Sequence, residues 1–363
     1  MPEIEQGGAG RLSLLALSPE ELSGRIEALG GRAFHARVVR REVLERGILD
    51  YAEMTGLPLA LREGLAAEIP ILAGKEIERR TTRDGATKLL IEFERRAGRD
   101  ATIELVHIPA TKRGRDATLC VSTQAGCPVA CPFCASGLAG LSRNLQAHEI
   151  IEQYLRGRAV GPLARSVVMG IGEPLLNYDN LKAAVEVVTG EFGLGARKLT
   201  VSTVGFPDRV RRAARDNPRF QLAISLHTPD DDQRAELVPA MADTPIEEVL
   251  DAGDDWFKQT GREITYEYVL LGDTNDSRGH AERLARRLAG RRASINLIPY
   301  NPSPDLAYRR PRPDIVEAFS NLLNEAGLVA TVRWSRGLDG DAACGQLRHQ
   351  SSAAQSTEPT GRP

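Results

Sequence analysis

The chain has 363 residues, enough for one large α/β domain with a smaller appendage and a sizeable core. Charged residues make up 26% and the formal net charge is -2, which excludes a global positive field, so any nucleic-acid surface must be a local patch. Four of the five cysteines fall between Cys120 and Cys134, and no leader pattern or apolar run of about 18 residues is present, so a cytoplasmic protein that uses its thiols for chemistry or metal is expected, with no membrane partner.

In chain order, residues 12 to 70 carry helical periodicity. The word "LSPEEL" places Ser18 at an N-cap and Pro19 at the first helical position. A helical accessory domain is expected over residues 1–75. Within it Arg32, Arg37, Arg40, Arg41 and Arg46 fall along one helical flank, which by spacing alone reads as a solvated face. Residues 76–110 switch to strand alternation, and Asp84-Gly85 predicts a type I′ hairpin, giving a small β linker.

From Thr118 onward, "TLCVST", "SVVMG", "KLTVST", "FQLAISLH", "EITYEYVLL" and "SINLIPY" alternate with amphipathic helices, and "GLVATVRW" adds a last strand. Right-handed crossovers would curl such a series into a partial (β/α)6 TIM-like barrel over residues 111–335. Residues 336–348 then form a terminal segment holding the remote Cys344, and 349–363 a disordered tail. In this architecture reactive residues belong just after each strand.

"CPVACPFC" sets Cys127, Cys131 and Cys134 in a Cys-x3-Cys-x2-Cys run after the first barrel strand. A structural zinc needs four ligands, and His148, the best extra candidate, lies at an unusual spacing on the next helix. Three thiolates on a 4Fe-4S cluster leave one iron open to a chelating substrate. The spacing, with Phe133 before the last cysteine, resembles that of the radical S-adenosylmethionine (SAM) superfamily, in which such a cluster reductively cleaves SAM. Gly172 and Glu173 in "MGIGEPLLN" match the superfamily's segment against the methionine part of SAM. Ser202, Ser225 and His227 end the third and fourth barrel strands, and Asn301 follows the sixth. Each of these polar residues also has an ordinary capping reading.

Taken together, "CVSTQAGC", "RNL", "GEPLLN", "SLH", "EYVLL", "NLIPYNP" and "DAACGQL" resemble the RlmN and Cfr family of radical SAM RNA adenine methyltransferases, from about residue 15 to Leu347. The resemblance implies an α/β radical SAM barrel, a 4Fe-4S cluster on Cys127, Cys131 and Cys134, and two SAM molecules per turnover. It implies SAM contacts at Ser202, Ser225, Leu226, His227 and Asn301, besides Gly172 and Glu173. Glu104 takes the family's proton-accepting position, although alternation alone would point it outward from its strand.

The expected chemistry follows from the substrate. An sp² carbon of adenine, C2 in RlmN-type and C8 in Cfr-type enzymes, is no nucleophile, so a polar methyl transfer is ruled out. Cys344 is expected to carry the methyl group as S-methylcysteine and Cys120 to release the product by attack on the Cys344 sulfur, leaving a disulfide. Without the resemblance Cys120 reads as a small core residue. The implied substrates are 23S rRNA and tRNA, the implied partners a flavodoxin-like electron donor and a thiol reductant, and a monomer is expected. RNA recognition is expected from the basic helical accessory domain, residues 1–75, and from the loop in which Lys112, Arg113 and Arg115 form a cationic tip.

Val204 and Gly340 depart from the family pattern, as does the basic insertion near Lys112. Val204 leaves one cofactor hydrogen bond open and Gly340 is expected to loosen the Cys344 segment. C2 specificity is preferred to C8, and the reading from another class is a non-catalytic iron-sulfur or zinc RNA-binding protein.

Overall fold

A computed structural model describes residues 12–110, 117–337 and 340–347. Lys112, Arg113, Arg115 and the tail from 349 lie outside the described residues. The first helices are α1 (Pro19–Ala28), α2 (Phe34–Leu44) and α3 (Leu59–Glu68). Strands β1 (Lys75–Thr81), β2 (Thr87–Arg96) and β3 (Arg99–Ile108) follow, then β4 (Ala117–Cys120) and the short pair β5 (Gln124–Gly126) and β6 (Leu141–Asn144). The repeating units come next: α4 (Ala147–Val160), β7 (Leu163–Val168), α5 (Tyr178–Gly190), β8 (Leu199–Thr203), α6 (Pro207–Asp216) and β9 (Gln221–Ser225). The chain continues with α7 (Asp231–Leu237), α8 (Ile246–Thr260), β10 (Ile264–Leu270), α9 (Arg278–Leu288), β11 (Ala293–Pro299), α10 (Pro313–Glu325) and β12 (Val329–Val332).

Ten strands form one sheet in the order β1-β2-β3-β4-β7-β8-β9-β10-β11-β12. The strands from β4 through β12 in that order pair parallel, with helices between them, which is the open α/β barrel expected from the alternating pattern. The three strands before β4 pair antiparallel and extend the same sheet, so residues 75–108 are more than a linker hairpin. β3 is zipped to β4 from Val106↔Cys120 to Ile108↔Thr118, and that register fixes Cys120 at the barrel entrance.

The tight hairpin turn falls elsewhere than at Asp84-Gly85. Ala97 and Gly98, both with positive φ, turn β2 into β3, whereas five residues connect β1 to β2. Asp84 is engaged there: its Oδ1 accepts from the Thr82 hydroxyl at 2.6 Å and from Ala86 N at 3.3 Å, and its Oδ2 accepts from Gly337 N at 2.8 Å. A residue that reads as turn chemistry thus holds the terminal segment.

Ser18 caps α1 in a capping box with Glu21, as the sequence predicts. The helical region is tied to the barrel by charge rather than left as a free basic face. Arg40 makes a bidentate pair with Glu191 at 2.6 and 2.8 Å, and Arg158 of α4 donates to the Leu44, Glu45 and Phe192 carbonyls. Arg41 and Arg46 pair with Glu42, while Arg32 and Arg37 are exposed. One continuous apolar core runs from Leu14 through Ala330, and among the described residues no helix is long and apolar enough to cross a membrane.

Candidate active site

At the C-terminal ends of the parallel strands lies a cavity of about 150 Å³. Cys127, Cys131 and Cys134 all face it from the loop between β5 and β6. Opposite them stand Gly172 and Glu173 after β7, Ser202 on β8, Ser225 and His227 at the end of β9, Asn301 after β11, and Cys344. Leu226 does not line it. Its side chain is in the core and its N–H donates to Glu267 O at 2.9 Å, so only main-chain contact with a ligand is open to it.

Glu173 is buried and accepts from Thr203 Oγ1 at 2.6 Å, Leu175 N at 3.0 Å and Val204 N at 2.9 Å. Burial pushes its carboxyl above the usual range, and these three donors pull it back toward the ionised form. The Val204 contact runs through main chain, so loss of a side-chain hydroxyl there leaves it intact. Gly172 has φ +111°, and a Cβ on it would come within 2.7 Å of Gln124 Cβ. The glycine is therefore required by close approach to Gln124 at the start of β5, a packing reason the sequence did not disclose.

His227 adopts the left-handed region, φ 65°, unusual for a side chain of its size. Asn275 Nδ2 donates to its carbonyl at 2.7 Å, and its Nδ1 accepts from Val269 N at 3.2 Å, which places the ring proton on Nε2. Burial, with the nearby Arg234 cation, lowers its pKa to about 3, so the ring is neutral. Phe133 packs edge-on against it at 5.0 Å, joining the cysteine loop to the β9 end.

The three loop thiols fit a metal cluster. Burial pushes Cys127 up to about 12 and raises Cys131 and Cys134, and Cys131 is raised further by the other two thiols, so all three need a cationic partner to ionise. Arg234 of α7, fully buried and acting electrostatically on Cys131, donates to Val204 O at 2.6 Å, while its Nε and Nη1 find no hydrogen-bond partner. A buried guanidinium with two unpaired nitrogens acting on Cys131 suits an anionic thiolate-bound cluster. His148 lies on α4 and does not line the cavity, so the three thiols gain no fourth ligand there.

A second, larger cavity of about 560 Å³ opens beside the first. Cys120 lines it together with Arg165, Lys198, Arg333, Trp334 and Arg336. Cys344 lines both cavities. Both of these thiols are free, and burial pushes Cys120 to about 11 and Cys344 to about 12, with the Arg333 guanidinium acting on each in the opposite direction. Cys344 is exposed to solvent.

The Cys344 segment is built into the site. Its carbonyl accepts from Asn301 Nδ2 at 3.0 Å, Gly345 O from Ala135 N at 2.9 Å, and Leu347 O from Ser136 Oγ at 2.8 Å. Gln346 Nε2 donates to Pro302 O at 2.7 Å. A Cβ on Gly340 would meet Thr82 Cγ2 at 2.5 Å, so Thr82 fills the space an aliphatic side chain would take.

Glu104 faces neither cavity, and it is not the outward strand position that alternation predicts. It is 2% exposed and pairs with Lys88 at 2.8 Å, because both faces of β3 are covered. Lys88 Nζ also donates to Asp341 O at 3.2 Å, linking Glu104 to the segment that bears Cys344.

Besides Arg234, sequence reasoning missed three groups. Thr203 orients Glu173. Glu267 lines the first cavity, receives a hydrogen bond from Asn296 at 2.8 Å, and is pushed by burial to about 7. A lone carboxylate inside the apolar run "TYEYVLL" was its signal. Arg333 was read as part of the last strand, yet β12 ends at Val332 and leaves Arg333 as the first residue beyond it, where rim residues belong.

Known proteins resemble this chain in sequence and in fold. Residues 121–285 match the Radical SAM superfamily model. A protein of Nostoc punctiforme named "Probable dual-specificity RNA methyltransferase RlmN" is 41% identical over 338 residues, covering 92% of this chain and 93% of its own. Its namesake in Gloeobacter violaceus is 40% identical, covering 96% of this chain and 99% of its own. The crystal structure of a radical SAM methyltransferase from Sphaerobacter thermophilus superposes with a TM-score of 0.85 at 39% identity, over 93% of this chain and 99% of that one. With identity at this level over nearly its whole length, the chain belongs to the RlmN family of radical SAM methyltransferases.

Proposed function

We propose that this protein methylates C2 of an adenine in the peptidyl transferase centre of 23S rRNA and of the adenine 3′ to the anticodon in tRNA, with Cys344 as methyl carrier. The observation that carries the reading is the position of Cys344 on the wall between the two cavities. One cavity holds the three loop thiols and the polar rim suited to SAM. The other is cationic and wide enough to admit part of an RNA.

Cys127, Cys131 and Cys134 would hold the 4Fe-4S cluster, which with bound SAM supplies one electron and a 5′-deoxyadenosyl radical. Glu173 would accept from the SAM ammonium, and Ser202, Ser225, Asn301 and the main chain at Gly172 and Leu226 would position the rest, with neutral His227 bracing the rim. Cys344 first accepts a methyl from one SAM by displacement, its sulfur needing the thiolate that Arg333 favours. Loss of a hydrogen atom from that S-methyl group leaves a carbon radical that adds to adenine.

The adduct would then return one electron to the oxidised cluster on the three loop cysteines and lose its ring proton with the assistance of Cys120. Cys120 attacks the Cys344 sulfur, the sulfur–carbon bond breaks with its electron pair going to carbon, and that carbon takes a proton to become the methyl group. A Cys120–Cys344 disulfide remains, which a thiol reductant must open. Support for this division of labour comes from Cys120 and Cys344 lining one cavity under a shared cation. Glu104, with its proton-accepting role, would act through the Lys88 link to the Cys344 segment. A flavodoxin-like donor, a monomeric state and a cytoplasmic setting complete the reading.

The test is to incubate reconstituted protein with SAM, reductant and 23S rRNA or tRNA, digest the RNA and identify the nucleoside by mass spectrometry. 2-Methyladenosine is expected. 8-Methyladenosine would replace the C2 assignment with C8, and no SAM cleavage under reducing conditions would return the chain to a non-catalytic iron-sulfur or zinc RNA-binding reading.

A further inference from the structure

The chain has two tryptophans, and they live in opposite settings. Trp256 is fully buried and stacked on Phe220 at 5.7 Å, whereas Trp334 is 53% exposed. A singly exposed aromatic needs no explanation of its own. Trp334, however, lines the 560 Å³ cavity that also contains Cys120 and Cys344, and the Arg310 guanidinium stands 5.6 Å from its ring centroid. Arg165, Lys198, Arg333 and Arg336 line the same cavity, and among its described lining residues there is no carboxylate. In a chain of net charge -2 this is a concentrated cationic patch with one broad aromatic face in it. Arg336 is partly committed, donating to Pro109 O at 2.9 Å and lying near Asp84, but no ion pair is formed by Arg165, Lys198 or Arg333 among the described residues.

Cations that track phosphates and an aromatic ring that stacks bases are the two halves of a single-stranded nucleic-acid site. An adenine brought to Cys344 must leave its own stack, which also strips the neighbouring base of a partner. We propose that Trp334 is a stacking platform for an unpaired RNA base adjacent to the target adenine, with Arg165 and Lys198 receiving the flanking phosphates. This rests on the RNA-substrate reading above and adds to it a specific base contact at the mouth.

Because Trp256 is sealed in the core, Trp334 is the reporter that bound RNA can reach. Holoprotein is titrated with an RNA hairpin carrying an unpaired adenine in its loop, following tryptophan emission for the native chain and for Trp334→Phe, with binding measured in parallel by gel mobility shift. RNA is expected to quench the native emission and leave that of Trp334→Phe unchanged. Trp334→Ala is expected to raise KM for RNA roughly tenfold, with kcat and KM for SAM within about twofold, and Trp334→Phe to restore most of it. The salt dependence of KM should keep its slope in Trp334→Ala and become shallower in Lys198→Ala, since stacking releases no counterions. If RNA binds without quenching Trp334, or if Trp334→Ala leaves KM unchanged, the inference is overturned while the RNA reading survives. If the native chain fails to bind the hairpin at all, both are overturned.

Discussion

Replacing Glu173 by Gln removes one charge and one acceptor while keeping shape. A carboxylate offers about four lone-pair sites. Three are taken by Thr203 Oγ1, Leu175 N and Val204 N, which leaves about one for a ligand ammonium. The amide retains a single oxygen, so its NH2 group must face either the Val204 N–H or the Thr203 and Leu175 donors. One buried donor left unpaired costs about 1–3 kcal/mol of stability. Losing a hydrogen bond to a charged ammonium costs a further 1.5–3 kcal/mol or so of binding, roughly a 10- to 150-fold rise in Kd. Isothermal titration of cluster-loaded Glu173→Gln protein with SAM, together with urea unfolding, reads both quantities. A Kd within about twofold of the native value, in protein with a full iron content, would refute the assignment of Glu173 as the ammonium acceptor.

Other consequences are equally direct. Arg333→Met removes the cation that acts on both Cys120 and Cys344, and single-turnover methyl loading of Cys344 should slow roughly tenfold at pH 7 and recover as pH rises, as followed by mass spectrometry. His227 has its folded pKa lowered to about 3, so between there and the ordinary histidine value near 6.5 only the unfolded chain binds the proton. Its contribution is fully present above about pH 6.5 and is lost as pH falls toward 3, by about 1.4 kcal/mol per pH unit, which urea unfolding across that range would show. Arg158→Ala removes three hydrogen bonds and a guanidinium placed 3.4 Å from the Phe192 ring centroid, and should lower the urea midpoint by about 2–4 kcal/mol worth of stability.

Much of the site was legible because its residues recur just after apolar runs, where a parallel α/β sheet gathers them. The cysteine loop, Glu173, Ser202, Ser225, His227 and Asn301 all reach one cavity for that reason. What the sequence hid depends on contacts between distant segments. Alternation sent Glu104 outward, since nothing local reveals that β3 continues into the barrel sheet and is covered on both faces. Gly340 read as slack because its partner, Thr82, lies more than two hundred residues earlier. Arg40 reads as part of a basic face because its partner Glu191 lies 151 residues later. Asp84-Gly85 carried a hairpin signal, yet the carboxylate is spent on Thr82, Ala86 and Gly337, and the tight turn falls at Ala97-Gly98, whose alanine carries no such signal.

The central claim is that Cys344 carries the methyl group between the two cavities. Its most direct test is mass analysis of the tryptic peptide GLDGDAACGQLR, residues 337–348, from protein made in cells with active cluster assembly. The account predicts a fraction of this peptide heavier by one methylene, located on Cys344, and its absence when Cys127 is replaced by Ala. A Cys344 that is never methylated in preparations that turn over, or a Cys344→Ala variant that still methylates RNA, would contradict it.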